Sequence, residues 1–490
     1  MSVGYLANLS LYIPELLCVA TMVGLLFLEA ARNEKEEGMK AFFACAFIGL
    51  IFALISLVKN LTLAPTGIFT NALVIDPFST FVKILMVVGT MATIYLSNTS
   101  SDIYRYLKAE FAIMAVGVLI GGMLLASANN LLTCFLGIET LSILSYVMAS
   151  LKKDDDRSSE AGVKYALYGG VASGMMLFGM SHIFGLFGTI QFGEMYPLIK
   201  NLTSLQQMIL IPSFVFFFVG LGYKIAVVPF HMWSPDVYEG SPIPVTTFFA
   251  LIPKIAGLAI IIRITMIFFG QESSILQITW LTLLQVVAAL TMIVGNVSAI
   301  GQKSVKRMLA YSSIGHAGFM LLGVVVVDQI GISAILFYLV TYLFMTLVAF
   351  YITSFVNDEY GNDHFERFNG LAFKYPLMAI VMTICMFSLT GVPPLAGFVA
   401  KFNIFYAAIG KKLYTLVFIG AMTSVISLYF YAKVIRFMFF NPVESDAPIG
   451  GFKFVNQTLI VTLTIPLLFL GIFWSGLFTE VFGTKLFIIQ

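Results

Sequence analysis

The chain has 490 residues, of which 59% are hydrophobic and only 11% are charged, and its formal net charge is +2. Soluble proteins carry about 25% charged residues, so this composition excludes an ordinary soluble enzyme. The mean hydropathy of +0.96 points to the lipid bilayer as the main solvent of the folded chain. We therefore expect contacts with lipid and no nucleic-acid partner.

Membrane-length apolar segments recur along the chain. A spanning helix needs about 20 apolar residues, and about 14 such segments are present. They lie near residues 9–31, 40–59, 75–97, 107–127, 130–150, 160–187, 208–231, 241–269, 273–299, 304–327, 330–355, 374–409, 413–440 and 455–482. The alternating ten-residue pattern of a membrane barrel is missing from the sequence. The predicted fold class is an all-α polytopic membrane protein.

Cofactor motifs are missing from the sequence. The four cysteines, Cys18, Cys45, Cys134 and Cys385, all fall in apolar segments without C-x-x-C spacing. A disulfide framework, a structural zinc site and an iron–sulfur ligand set are therefore not expected. No glycine-rich nucleotide loop is found either. We expect no cofactor-binding residue and no metal ligand in this chain.

The distribution of lysine and arginine predicts the orientation. Counting predicted loops from the N-terminus, the odd loops carry about 17 basic residues and the even loops about 4. Because basic loops stay on the cytoplasmic side, the odd loops should face the cytoplasm. Both termini should then lie on the opposite side. No N-terminal secretory signal is recognisable, so the first span should be retained.

Two apolar segments are interrupted by proline at membrane depth. The first break follows Lys224 and contains Pro229 and His231 in the run KIAVVPFHMWSPDVYEGSP. The second contains Pro393 and Pro394 in GVPPLAGFVAKF. Interrupted helices in corresponding positions of two halves are typical of inverted-repeat transporters. A proline that only kinks a helix is the alternative.

The predicted breaks lie five spans apart, in the seventh and twelfth spans. This spacing predicts two five-helix repeats, the second inverted relative to the first, because five is an odd number. The predicted organisation is an N-terminal three-helix segment, two five-helix repeats and a C-terminal helix, over residues 1–106, 107–270, 271–440 and 441–490.

Seven charged residues fall inside apolar segments. Three of them, Glu15, Lys83 and Arg263, lie near predicted span ends, and we expect their side chains to reach the membrane interface. The other four lie deep in their spans, where a charge costs about 2.5–3.5 kcal/mol on insertion scales. These four are Glu139, Lys224, Lys254 and Lys401.

The deep charges predict a proton relay. Lysine can exchange a proton when its surroundings change, whereas arginine stays charged. A carboxylate that moves relative to a buried lysine can therefore load or unload a proton, and Glu139 is the candidate for Lys224. A structural ion pair between these two residues is the alternative.

Polar residues on the same helix faces support this hypothesis. Ser142 and Tyr146 follow Glu139 at i+3 and i+7, and Thr247 precedes Lys254 by seven residues. Ser312 and its neighbour Ser313 precede His316 by one helical turn. His316 is therefore a candidate relay residue between hydroxyl groups, with a packing histidine as the alternative.

The sequence also resembles a known family. KIAVVPFHMWSPDVYEGSPIPVTTFFA, RMLAYSSIGHAGF and SLTGVPPLAGFVAKF are similar to motifs of the antiporter-like subunits of respiratory complex I, the bacterial proton-translocating NADH–quinone oxidoreductase. The resemblance covers nearly the whole chain. The PDVYEG form of the first motif is similar to the N branch of that family. The lysine at the second break resembles the N and L branches, whereas the M branch has glutamate there.

The resemblance implies a function and roles for individual residues. It implies an inner-membrane subunit of an enzyme complex whose FMN, iron–sulfur clusters and quinone belong to other subunits, so that its partners are the other membrane-arm subunits. It implies that Glu139 is an essential glutamate, that Lys224 lies beside the first break and that Lys254 connects the halves. His316 resembles a linking histidine, and Lys401 a lysine that exchanges protons with the outer side.

Three other functions stay open at this point. A subunit of a multi-subunit sodium/proton antiporter shares the same ancestry. An independent solute carrier with the inverted-repeat plan would carry a substrate site near the midplane. A purely structural membrane scaffold is disfavoured by four deep charges in two matching halves.

Overall fold

The structure is a computed structural model that describes residues 5–31, 36–199, 202–269, 275–443 and 454–476. It is built almost entirely of α-helices, because backbone groups in a membrane must satisfy their own hydrogen bonds. The helices are α1 (Tyr5–Leu11), α2 (Ile13–Ala30), α3 (Glu36–Asn60), α4 (Pro77–Thr99), α5 (Lys108–Ser127), α6 (Leu131–Ala149), α7 (Asp156–Phe187), α8 (Phe192–Ile199), α9 (Ser204–Lys224), α10 (Trp233–Gly240), α11 (Ile243–Phe269), α12 (Ile275–Ile300), α13 (Val305–Val325), α14 (Gln329–Tyr360), α15 (Leu371–Lys374), α16 (Pro376–Thr390), α17 (Ala396–Gly410), α18 (Tyr414–Phe440), α19 (Phe454–Ile472) and α20 (Trp474–Gly476).

The prediction of a polytopic helical membrane protein is confirmed. Twelve helices of the described ranges are long and apolar enough to cross a membrane, and three shorter apolar helices accompany them. The single predicted span 374–409 is two helices, α16 and α17, which meet at the second break. The inverted-repeat organisation and its boundaries stay a prediction.

One small departure from an all-helical chain lies between α3 and α4. Strands β1 (Thr66–Ile68) and β2 (Leu73–Ile75) form an antiparallel hairpin, with Thr66 paired to Ile75. Leu73 also bridges to Ala128 at the end of α5. The hairpin therefore joins the N-terminal helices to the region where the deep charges begin.

The helix ends are set by local capping. Asp76 accepts a hydrogen bond from the Ser79 amide at the start of α4, and the Ser79 hydroxyl bonds back to the Asp76 amide. Asn130 caps α6 and Ser304 caps α13 in the same way through their side-chain oxygens. Such caps satisfy amides that have no partner within the helix, and they fix where each membrane-spanning helix starts.

The centre of the molecule is formed by α11, α13 and α14. The most apolar stretch of α11 is wholly buried in the chain, and those of α13 and α14 are buried over 94% of their length. Helix α11 packs against α4, α5, α13 and α14. A buried helix of this kind can hold a polar side chain away from lipid, which matters for Lys254.

The expectation that three charges near span ends reach the interface is wrong. Glu15 and Lys83 form an ion pair of 2.5 Å between α2 and α4, with 1% and 2% of their side chains exposed. Arg263 is 2% exposed and binds Asp76 at 2.9 Å. A carboxylate from another helix compensates each cation, so the side chain has no need to extend to water.

Candidate functional site

The first break places Lys224 at the end of a helix and inside the protein. Helix α9 ends at Lys224, and the chain runs irregularly from residue 225 to residue 232 before α10 begins. Lys224 is 1% exposed. Its ammonium donates to the Ser142 hydroxyl at 3.1 Å and to the Tyr165 hydroxyl at 3.3 Å. Two neutral oxygens thus hold the cation, on α6 and α7.

An aromatic cluster supports this lysine. The Tyr165 ring stacks on Trp233 with centroids 4.2 Å apart, and the Trp233 indole donates to the Tyr223 carbonyl at 3.0 Å. The same carbonyl accepts from the Ala226 amide at 3.1 Å, where α9 ends one residue later. Tyr146 packs edge-on against Tyr165 at 4.8 Å. The first break is therefore packed with aromatic rings, and one of them, Tyr165, places its hydroxyl on the lysine.

Glu139 lies near Lys224 but is not ion-paired with it. Its side chain is half-buried on α6 and accepts a short hydrogen bond from the Ser173 hydroxyl on α7. It remains within electrostatic range of Lys224. The predicted neighbour Ser142 follows Glu139 by one turn on α6 and binds the lysine.

Lys254 joins the two halves of the chain. It is 1% exposed, and its ammonium donates to the backbone carbonyl of Ser313 at 2.8 Å and to the Ser313 hydroxyl. Tyr342 donates to the same hydroxyl at 2.8 Å. Thr247 is not part of this cluster, because its hydroxyl bonds to the Ile243 carbonyl of its own helix.

His316 lies between tyrosine hydroxyls rather than serines. Its Nδ1 is 2.7 Å from the Tyr338 hydroxyl and its Nε2 is 3.1 Å from the Tyr431 hydroxyl. Ser312 makes a short hydrogen bond with the same Tyr431 hydroxyl. Lys254 and Lys401 are both within electrostatic range of the imidazole. Both ring nitrogens of the histidine thus lie within hydrogen-bond distance of a tyrosine hydroxyl.

The second break holds Lys401. Helix α16 ends at Thr390, and the chain passes through Pro393 and Pro394 before α17 begins. The Lys401 ammonium donates to the Thr390 carbonyl and to the Ser424 hydroxyl, each at 2.8 Å. The broken helix therefore provides a free carbonyl to the lysine, as the first break exposes the end of α9 near Lys224.

Two predicted residues of the first break contact none of these lysines. Pro229 sits where the backbone turns, and the amide of the preceding Val228 donates to the Thr291 hydroxyl at 3.0 Å. His231 is buried, and its Nδ1 has no hydrogen-bond partner within the described part of the chain. Their placement fits a role in shaping the break.

Tyrosines are the residues that the sequence analysis missed. Tyr165, Tyr338, Tyr342 and Tyr431 are at most 2% exposed, and each places its hydroxyl on a lysine, a histidine or the serine beside them. Buried tyrosine hydroxyls usually have a hydrogen-bond partner. Tyrosine within an apolar span was therefore a usable signal. Among the described residues, no group of three histidine, cysteine or acidic side chains could hold a metal ion.

Comparisons with known proteins identify relatives of this chain. Residues 128–427 match the family described as NADH:quinone oxidoreductase/Mrp antiporter, TM. NADH-quinone oxidoreductase subunit N 2 of Chloroherpeton thalassium is 38% identical over 444 residues, which is 89% of this chain and 86% of that protein. A chain of respiratory complex I from Thermus thermophilus is similar in structure, with a TM-score of 0.79 and 29% identity over 95% of this chain and 98% of that one.

A chain of the Mrp complex from Dietzia sp. shares the fold, with a TM-score of 0.84 and 20% identity over 98% of this chain and 97% of that one. At that identity the likeness concerns the fold alone. The profile match and the curated relative together cover most of the sequence. The chain belongs to the NADH:quinone oxidoreductase/Mrp antiporter family of membrane subunits, among the relatives named subunit N.

Proposed function

We propose that this chain is a membrane-arm subunit of a NADH–quinone oxidoreductase and moves protons across the membrane through Glu139, Lys224, Lys254, His316 and Lys401. Its partners are the other membrane-arm subunits. NADH oxidation and quinone reduction take place elsewhere in the complex, and this chain holds no redox centre. Both termini face the non-cytoplasmic side of the bacterial inner membrane.

One observation carries the proposal. Lys224, Lys254 and Lys401 are each at least 95% buried, and among the described residues each donates hydrogen bonds only to hydroxyl and carbonyl oxygens. Lys83 and Arg263 are equally buried but are neutralised by carboxylates. An isolated buried cation is costly, and a lysine can remove that cost by giving up its proton. Lys224, Lys254 and Lys401 are all buried in this way without a carboxylate hydrogen-bonded to them.

The order of the groups defines the path. Lys224 contacts Ser142 below the first break, and Lys254 contacts Ser313 on α13 of the second half. His316 follows Ser313 by one turn on the same helix. The Phe319 ring, one turn further, lies 4.6 Å from the Lys401 ammonium. A proton taken up at Lys224 from the cytoplasm passes through Lys254 and His316 to Lys401.

Glu139 controls the first transfer. At about 4 Å and an effective dielectric of about 20, a carboxylate attracts an ammonium by roughly 4 kcal/mol. The Ser173 hydroxyl now holds Glu139 away from a direct ion pair. Movement of Glu139 toward Lys224 stabilises the protonated lysine, and movement away favours proton release. Conformational or electrostatic changes in neighbouring subunits drive that movement.

The repeat organisation follows from the same proposal. Residues 107–270 and 271–440 form two inverted five-helix units, each with one broken helix and one lysine beside the break. Residues 1–106 precede them as a three-helix segment, and residues 441–490 follow as a C-terminal helix. With two inverted units, one end of the proton path opens to one face of the membrane and the other end opens to the opposite face.

The test is NADH-driven acidification of inside-out vesicles that contain the assembled complex. Lys224→Ala should abolish acidification or reduce it strongly while the complex stays assembled. Lys411→Ala is the matched control, because Lys411 is exposed and bonds only weakly to Asp328 at 3.4 Å. If Lys224→Ala acidifies as much per NADH as the native chain, the relay is refuted. Sodium-driven proton movement without NADH would favour the antiporter alternative.

A further inference from the structure

A loop carboxylate outside the relay touches the start of a relay helix. Asp102 lies in the short loop after α4, and its side chain is 11% exposed. Its Oδ2 accepts a hydrogen bond of 2.7 Å from the amide of Ile243, the first residue of α11. A carboxylate at this position also interacts favourably with the positive end of the helix dipole. Asp102 thus anchors the helix that carries Lys254.

A lysine of a second relay helix lies beside the same anchor. Lys306 is the second residue of α13, and its ammonium donates to the Ser241 carbonyl at 3.1 Å. Ser241 precedes Ile243 by two residues. Lys306 is only 9% exposed and attracts the Asp102 carboxylate. The cytoplasmic starts of α11 and α13 are therefore tied together by one acid and one base.

The charge of Asp102 is maintained at neutral pH. Burial raises the pKa of this carboxyl, but the attraction of Lys306 and Lys152, together with the hydrogen bonds from Lys152 and Ile243, lowers it below its ordinary value of 3.8. Lys152 forms an ion pair of 2.5 Å with Oδ1. The carboxylate is thus charged at neutral pH, and each of its oxygens has a partner.

The tie fixes the relative register of the two helices. Lys254 lies eleven residues beyond Ile243, about 16 Å along the α11 axis, and Ser313 lies about 12 Å beyond the start of α13. The Lys254 ammonium is 2.8 Å from the Ser313 carbonyl. An axial slip of one residue, about 1.5 Å, would remove this contact, since hydrogen bonds weaken beyond about 3.2 Å.

We propose that Asp102 and Lys306 form a cytoplasmic tether that sets the register of α11 against α13, so that Asp102 is a positioning residue for proton transfer from Lys254 to Ser313. The inference rests on the proposed function. It assigns a task to the loop at the end of the N-terminal three-helix segment, outside the five relay groups themselves.

The experiment measures acidification per NADH oxidised in inside-out vesicles with the intact complex. Asp102→Asn and Lys306→Met should each lower this ratio at least about three-fold. The double variant should have a ratio no lower than that of the more impaired single variant, because either substitution alone already breaks the tether. Asp102→Glu, which keeps the carboxylate, should recover at least about half of the native ratio. A purely structural role would change the amount of complex and leave the ratio unaltered.

Asp358→Asn is the matched control. Asp358, on α14, accepts hydrogen bonds from Ser100 and Ser101 in the loop that also holds Asp102, the shortest of them 2.8 Å. Within the described part of the chain it forms no hydrogen bond or ion pair with α11 or α13. Acidification per NADH oxidised should stay at the native value in Asp358→Asn. Amide hydrogen exchange of Ile243 in the intact complex provides a second measurement, and Asp102→Asn should accelerate it. Lys306→Met keeps the test decisive if Asp102→Asn fails to assemble.

The outcomes separate the tether from the relay. Native ratios in both single variants, or losses that multiply to about nine-fold in the double variant, overturn the tether. Unchanged exchange of Ile243 overturns it as well. If Lys254→Ala loses acidification while Asp102→Asn keeps it, only the tether is wrong. If Lys254→Ala acidifies normally, the relay is wrong and the tether falls with it.

Discussion

Removing Lys83 should destabilise the protein strongly, although Lys83 is outside the proposed relay. The Lys83 ammonium is the partner of Glu15 at 2.5 Å, and both side chains are at most 2% exposed. The second carboxylate oxygen of Glu15 has no hydrogen-bond partner within the described ranges. Lys83→Met therefore leaves a buried carboxylate with no compensation, which costs about 3–5 kcal/mol.

A second change should reverse most of this loss. Lys83→Met combined with Glu15→Leu replaces the pair by apolar side chains of similar size, and such replacements are often neutral or stabilising by about 1–4 kcal/mol. The assay is the thermal midpoint at which the purified complex loses this chain. Lys411→Met serves as control, since exposed pairs contribute only about 0–1 kcal/mol.

The reasoning is refuted by either of two results. A native midpoint for Lys83→Met would mean that the pair contributes nothing to folding. A double variant as unstable as the single would mean that packing of the side chains, and not the uncompensated charge, decides the loss. Acidification per NADH should stay native in every assembled variant, because within the described part of the chain neither Lys83 nor Glu15 hydrogen-bonds to a relay residue.

Two further predictions concern other groups. Tyr431→Phe removes the hydroxyl that bonds Ser312 and His316 and should slow acidification at least about tenfold, whereas Tyr429→Phe, on the exposed face of α18, should leave it native. Because the pKa of Asp102 is lowered in the folded chain, its contribution to stability is present above pH 3.8 and is lost as pH falls through the lower folded pKa. The thermal midpoint of the Asp102→Asn complex should therefore lie below that of the native complex at pH 7, and the difference should disappear in acid. A difference in midpoint that does not depend on pH would contradict this reasoning.

The sequence predicted the breaks and the deep lysines because both violate a strong local rule. A proline or a lysine in an apolar span is costly, so each marks a place where the surroundings must compensate. Lys224, Lys254 and Lys401 all lie buried beside hydroxyl or carbonyl oxygens. Their placement required no knowledge of distant contacts, only of the cost of a charge in lipid.

The partners of those lysines could not be predicted in the same way. Tyr165 is 59 residues from Lys224, and Tyr431 is 115 residues from His316. Such pairings depend on how helices pack, and periodicity along one helix does not contain that information. The ion pairs of Lys83 and Arg263 were missed for the same reason, since each carboxylate comes from a separate helix.

The second break offers a test that links backbone packing to the proposed chemistry. A Cβ on Gly397 would overlap the carbonyl oxygen of Ser388, because α17 starts directly against the end of α16. The Gly397 amide also donates a hydrogen bond to the Ser388 hydroxyl at 3.1 Å, and moving α17 away from α16 would break it. Gly397→Ala must therefore push the two helices apart, at a cost of about 1–3 kcal/mol.

That displacement should reach Lys401, which lies one turn beyond Gly397 and holds the Thr390 carbonyl at 2.8 Å. A shift of about 1 Å takes this contact past the range of a hydrogen bond, so acidification should fall together with stability. Gly410→Ala, at the other end of α17 with nothing within 4 Å of its Cβ, is the control. If both variants melt and acidify alike, close packing at the second break does not position Lys401, and the lysine finds its partners without it.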